Sequence, residues 1–204
     1  MKKLITICFL WAVALFAETP VHDGFFLNMQ LGYGFYGVTV QNNSSNLDSY
    51  NSLATNYSMK FGGALTPHLV LYGTFAFTAG FSIDDNDDVD DLNALQFFIG
   101  PGILFIPCTS GPLNNFFIGL AAGPTIEGTT SSESFYYEDF WEDNSFTGYG
   151  FAVQLEVGKE WWVSRNWSLG IVGTYRFNYA QDENYSSIDW HSNMILLQFT
   201  ISRS

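Results

Sequence analysis

The chain has 204 residues, with 7 Lys+Arg against 20 Asp+Glu, a net charge of −13, and 18% aromatic but only 13% charged residues. Soluble domains average about 25% charged residues, and so few Lys and Arg exclude nucleic-acid binding, which needs phosphates neutralised. A hydrophobic content of 47% suffices for a core and excludes disorder.

The first element is an address. Met1-Lys2-Lys3 is basic, Leu4 to Phe16 is almost wholly apolar, and Ala14 and Ala17 precede Glu18. This is the three-part secretory signal, with cleavage expected after Ala17. The apolar run is too short for the ~20 residues of a spanning helix. Residues 1–17 are therefore read as a cleaved signal peptide and 18–204 as the mature domain. Losing Lys2 and Lys3 leaves 5 basic and 20 acidic residues, a charge of −15. Cys8 leaves as well, so Cys108 has no partner for an internal disulfide and reads as an inert turn residue.

Period-two alternation then recurs. From Phe25 the odd positions read Phe25, Leu27, Met29, Leu31, Tyr33 and Phe35, against Phe26, Asn28, Gln30, Gly32, Gly34 and Tyr36. The pattern resumes at Tyr57–Leu65, Leu69–Thr78, Leu95–Phe105 and Phe116–Ala122, and again at Tyr149–Trp161, Trp167–Tyr179 and Asn193–Ile201. Such alternation predicts eight strands, each with an apolar and a small or polar face. A second face of Gly, Ala, Ser, Thr, Asn and Gln suits a narrow lumen, with Phe, Leu and Ile turned to lipid. Pro101 and Pro124 fall inside two of these strands, where each deletes a ladder hydrogen bond. Bulges beside Gly100, Gly102 and Gly123 are expected to absorb them.

The connections alternate in length. Long polar links at 41–56, 82–93, 128–146 and 180–191 enclose short ones near Thr66-Pro67, Pro107–Asn114 and Val163–Asn166. All long links then fall on one side of an even-stranded sheet. Lipid offers no hydrogen-bond partners, so such a sheet must close on itself. Trp161, Trp162 and Trp167 at one end, and Tyr175, Phe177 and Tyr179 at the other, read as two interfacial girdles. Fifteen of the 20 acids lie in the four long links, giving an almost neutral barrel with a negative crown.

With signal, eight strands, three short turns and four long acidic links, the mature chain resembles the small OmpA-like and opacity-like outer-membrane barrels of Gram-negative bacteria. The resemblance implies an all-β, eight-stranded, antiparallel up-and-down transmembrane barrel in the outer membrane, among its lipids and lipopolysaccharide. It also implies insertion by the barrel-assembly machinery. Leu197-Gln198-Phe199 matches the family's terminal hydrophobic-x-aromatic pair, whereas Met194 stands where Gly is expected and five residues follow Phe199.

Four inward-parity charges are singled out: Lys60, Glu156, Glu160 and Arg176. Lys60 and Glu156 stand at similar depth on the second and sixth strands, opposite each other in an eight-stranded lumen, and are expected to pair. Eight strands enclose a space just wide enough for side chains to fill, so a plugged lumen is expected. Asp84–Asp91 has spaced carboxylates but lacks the tight-turn Gly and terminal Glu of a calcium loop; it reads as a solvated acidic run, without metal. Phe135, Tyr136, Tyr137, Phe140 and Trp141 mark a contact surface for an unidentified ligand, or else a strand extension. Gly32-Tyr-Gly34-Phe-Tyr-Gly37 matches a dinucleotide fingerprint in letters only, since a strand follows rather than a helix, and no cofactor is expected. His191-Ser192-Asn193 lacks the His-x-Ser spacing of lipid A deacylases of similar size, and no nucleophile–base pair emerges. The expected role is non-enzymatic, structural or surface-contacting. A narrow small-solute pore is the alternative, and an outer-membrane lipid-modifying enzyme the third reading.

Overall fold

The computed structural model describes residues 22, 24–42, 45–82, 93–111, 113–130, 146–182 and 188–204. The segment 1–17, expected to be a signal peptide, the acidic run Asp84–Asp91 and the aromatic segment Phe135–Trp141 lie outside the described residues. Eight strands follow in order: β1 (Gly24–Asn42), β2 (Ser45–Thr66), β3 (Leu69–Ser82), β4 (Asn93–Phe105), β5 (Phe116–Thr130), β6 (Phe146–Trp162), β7 (Trp167–Asp182) and β8 (Ile188–Arg203). Each pairs antiparallel with its sequence neighbours, and β8 returns to β1 through Leu31↔Phe199 and Phe35↔Ile195, closing the barrel.

Strand parity decides which side each residue takes. Leu31, Tyr33, Phe35, Ile195, Leu197 and Phe199 face outward and exposed, while their neighbours Tyr36, Met194, Leu196 and Gln198 are buried inside. The interior holds two apolar clusters. Phe26, Val70, Tyr72, Phe98, Leu104 and Phe117 belong to one; Tyr36, Val38, Ala54, Ala94, Ala180, Trp190, Met194 and Leu196 form the other.

The short turns are tightly made. Val163 and Ser164 donate backbone N–H groups to the Trp167 carbonyl at 2.9 and 3.2 Å. Between β4 and β5, Asn115 adopts φ 56° and donates to the Cys108 carbonyl at 3.0 Å. At the opposite end two of the expected long links prove to be largely strand. β1 and β2 run 19 and 22 residues, well past the ~9–11 needed to cross a bilayer, with a register shift between Val40 and Gln41. Likewise β7 extends to Asp182 and β8 starts at Ile188, shortening the link expected at 180–191.

The prolines are accommodated without the expected bulges. Pairing of β4 with β5 stops after Phe98↔Thr125 and resumes at Gly102↔Ala121 in the same register, whereas a bulge would shift it by one. Pro101 still pairs with Gly73 on β3, and Pro124 with Phe151 on β6. The ladder is thus lost only on the edge where both strands lack a donor. The backbones crowd together there: a Cβ on Gly123 would lie 2.2 Å from the Ile99 carbonyl oxygen. Gly123→Ala is expected to cost about 1–3 kcal/mol, the usual penalty of overpacking, read as a lower urea midpoint of the refolded barrel. Gly73→Ala, whose Cβ would meet nothing nearer than 4.0 Å, is expected to leave that midpoint unchanged.

Candidate functional site

The charged lumen is assembled by parity from facing walls. Gln154, Glu156 and Glu160 alternate inward along β6; Lys60 projects from β2 and Arg176 from β7, all buried. Lys60 Nζ forms an ion pair with Glu156 Oε2 across the lumen, with both side chains at most 1% exposed. The ammonium also lies 5.3 Å from the Tyr72 ring centroid. Gln154 Nε2 donates to the other Glu156 oxygen at 2.6 Å.

Arg176 continues the chain. Its Nε donates to Gln154 Oε1 at 2.8 Å and its Nη1 to Gln96 Oε1 at 2.7 Å, with a longer contact to Thr78 at 3.3 Å. The guanidinium lies 5.0 Å from the Phe98 centroid. Gln96 then donates through Nε2 to Glu127 Oε1 at 2.5 Å. Ser192 donates to the same oxygen and accepts from Asn178 Nδ2 at 2.8 Å. The order is cation, anion, amide, cation, amide, anion. Each glutamine serves a cation with its carbonyl and a carboxylate with its amide, because an amide offers both an acceptor and donors.

Glu160 stands apart from this chain. It accepts from Ser168 at 2.6 Å and Ser202 at 2.5 Å, at the short-turn end of the lumen. His22 caps it: Nε2 is 3.5 Å from Glu160 Oε2 and Nδ1 is 2.5 Å from Ser204 Oγ. The imidazole packs edge-on to Phe26 and tilted on Trp162, at 5.5 and 5.2 Å between centroids. Of the four charges singled out in the sequence, Lys60, Glu156 and Arg176 share one hydrogen-bonded chain, and Glu160 belongs to a second site.

Glu127 and His22 were not among the residues singled out. Glu127 has inward parity, yet it lies beyond Pro124, where the recognisable alternation of β5 ends. Trp162 also departs from expectation. The sequence pattern assigns it to a girdle, but even parity turns it to the mouth of the lumen against His22, whereas Trp161 and Trp167 face outward.

Ser192 is fully buried in the lumen and His191 faces the opposite side of the wall, 5.2 Å from the Tyr179 ring centroid. Among the described residues no group of three or more His, Cys, Asp or Glu side chains is placed to hold a metal.

The outer wall defines the class. Phe, Leu, Ile, Val and Tyr side chains cover it from β1 round to β8, up to 69% exposed at Tyr33 and 66% at Leu197. Monomeric soluble proteins rarely expose contiguous apolar patches above a few hundred Å², and an apolar belt around a closed sheet whose interior carries charged and amide side chains is the design of a membrane-spanning barrel. The molecule is an eight-stranded transmembrane β-barrel. It shares its fold with a small outer-membrane barrel of known structure, Neisserial surface protein A.

Neisserial surface protein A aligns with TM-score 0.51 at 12% identity, over 89% of this chain and 97% of that one. The attachment invasion locus protein Ail of Yersinia pestis gives 0.44 at 13%, over 87% and 99%. OprG from Pseudomonas aeruginosa gives 0.43 at 9%, over 92% and 98%. No protein-family model matches the sequence and no curated protein matches it. The Val163–Asn166 turn and the β1–β2 hairpin tip stand at opposite ends of the barrel.

Proposed function

We propose that the protein is a closed, non-enzymatic scaffold of the outer membrane. It holds long acidic connections outside the cell for a structural or surface-contact role. One observation carries this reading: the middle of the lumen is occupied by Lys60, Glu156, Gln154, Arg176, Gln96 and Glu127, all at most 1% exposed and joined by hydrogen bonds. Eight strands leave room for side chains and little else. An ion crossing this section would have to displace a desolvated, mutually paired set of charges.

Within this reading the neighbours are outer-membrane phospholipid and lipopolysaccharide, with the barrel-assembly machinery engaged during insertion. The segment Phe135–Trp141 would supply aromatic anchors for a surface ligand. The test is planar-bilayer recording of the refolded full chain. No stable conductance steps are expected; a sustained open channel would overturn the plug and favour the narrow-pore alternative. The enzymatic alternative is checked in the same cells, where an altered lipid A mass on expression would contradict a non-enzymatic role. Deleting residues 131–145 is expected to abolish binding to host or neighbouring cell surfaces while leaving insertion intact.

A further inference from the structure

The basic residues are distributed as unevenly as the acidic ones. Five follow the signal: Lys60, Lys159, Arg165, Arg176 and Arg203. Lys60 and Arg176 are in the lumen. The remaining three all stand at the end of the Val163–Asn166 turn, on β6, in the β6–β7 turn and on β8, and short turns mark the periplasmic side of outer-membrane barrels. Arg203 pairs in register with Trp167 across the β7–β8 ladder, and its guanidinium carbon lies 5.8 Å from that ring centroid. Lys159 Nζ lies 5.9 Å from the Trp161 ring centroid and donates to the Asn114 carbonyl at 2.7 Å. Trp161 and Trp167 are outward and exposed, with Val163 and Ile171 beside them on the same wall. Among the described residues the acid at this end, Glu160, is turned into the lumen under His22.

We infer that this collar of Lys159, Arg165 and Arg203 around Trp161 and Trp167 is a binding site for the phosphate-bearing headgroup of an anionic phospholipid in the periplasmic leaflet. The inference rests on the membrane reading and adds a ligand class and a location to it. Indole rings hold the headgroup depth. Long basic side chains there keep their stems on the apolar wall while reaching outward with the charge. An arginine fork matches phosphate oxygens in pairs, which an ammonium does not. A zwitterionic headgroup would bring its own cation into a patch that already holds three, so charge complementarity selects a headgroup with net negative charge. Among the described residues, the acids Asp182 and Asp189 stand at the other end of the barrel, on β7 and β8, and do not compete.

The experiment uses the full chain refolded in zwitterionic detergent. Tryptophan fluorescence is titrated with phosphatidylglycerol or phosphatidylcholine brominated near the headgroup end of the acyl chains. A basic residue near an anionic surface is worth about fivefold in affinity. Half-quenching by phosphatidylglycerol is therefore expected at roughly tenfold lower lipid fraction than by phosphatidylcholine, allowing for partial exposure. In Arg165→Gln/Arg203→Gln the preference is expected to fall to about twofold or less, and high salt should weaken it in the parent. Lys159 is left in place because it also ties down the β4–β5 turn. Equal quenching by the two lipids, or a preference untouched by the double substitution, would overturn the site. Competition by inorganic phosphate at matched ionic strength would overturn a lipid as its occupant. Absence of quenching by either lipid would instead overturn the membrane reading itself.

Discussion

Lys60→Met is expected to lower the stability of the folded barrel by about 3–5 kcal/mol, the cost of removing one partner from a buried ion pair. The loss of attraction is the smaller part of this. Most of it is Glu156, left as a carboxylate sealed in the lumen with Gln154 as its remaining donor. Native proteins rest on about 5–15 kcal/mol in total, so the urea midpoint, read from the heat-modifiable gel band, should fall by a large fraction. Lys60→Met/Glu156→Leu is expected to recover most of the loss, because exchanging both partners for apolar groups of similar size is often neutral. A single variant as stable as the parent would show that the pair does not hold the wall. A double variant no better than the single would place the cost in packing around Tyr72 rather than in the stranded charge.

Much of the barrel was legible because membrane strands obey one strong rule. Parity fixes side, and side fixes solvent. The odd series Phe25 to Phe35 and the even series Phe26 to Tyr36 divide into outer wall and lumen as read, and the even parity of Lys60, Glu156, Glu160 and Arg176 places all four inside. Depth was legible too, since counting from short turns brings β2 and β6 residues to one level. What escaped was whatever parity does not encode. The glutamines are inconspicuous in sequence, yet Gln154 and Gln96 are what turn separate charges into one chain. Pro124 masked the second half of β5 and with it Glu127. A ladder gap and a bulge look alike in sequence, for both need only proline and glycine; the register tells them apart. His22 precedes the first alternating segment, so only the closed structure brings it to Glu160 and Ser204.

Arg176 separates stability from closure, two properties that Lys60 leaves entangled. It is fully buried on β7, and its guanidinium reaches Gln154 on β6 and Gln96 on β4 while lying over Phe98. A lysine carries the same charge on a compact head and cannot span both amides with the fixed fork of an arginine. Arg176→Lys is therefore expected to cost roughly 2–3 kcal/mol, the loss of a charge-assisted hydrogen bond. Arg176→Met removes the cation from between two carboxylates and strips both glutamine carbonyls of their donor, which should cost about 3–5 kcal/mol. It nonetheless leaves a long side chain in the lumen, so the folded fraction should remain closed in planar bilayers. Arg176→Ala removes the charge and the volume together, in a section lined by Thr78, Gln96 and Gln154. A polar gap of this kind fills with water, and intermittent conductance steps are expected from Arg176→Ala alone. If Arg176→Lys unfolds at the parent's midpoint, the fork carries no special weight. If Arg176→Met conducts as readily as Arg176→Ala, the barrel is closed by charge pairing rather than by side-chain volume.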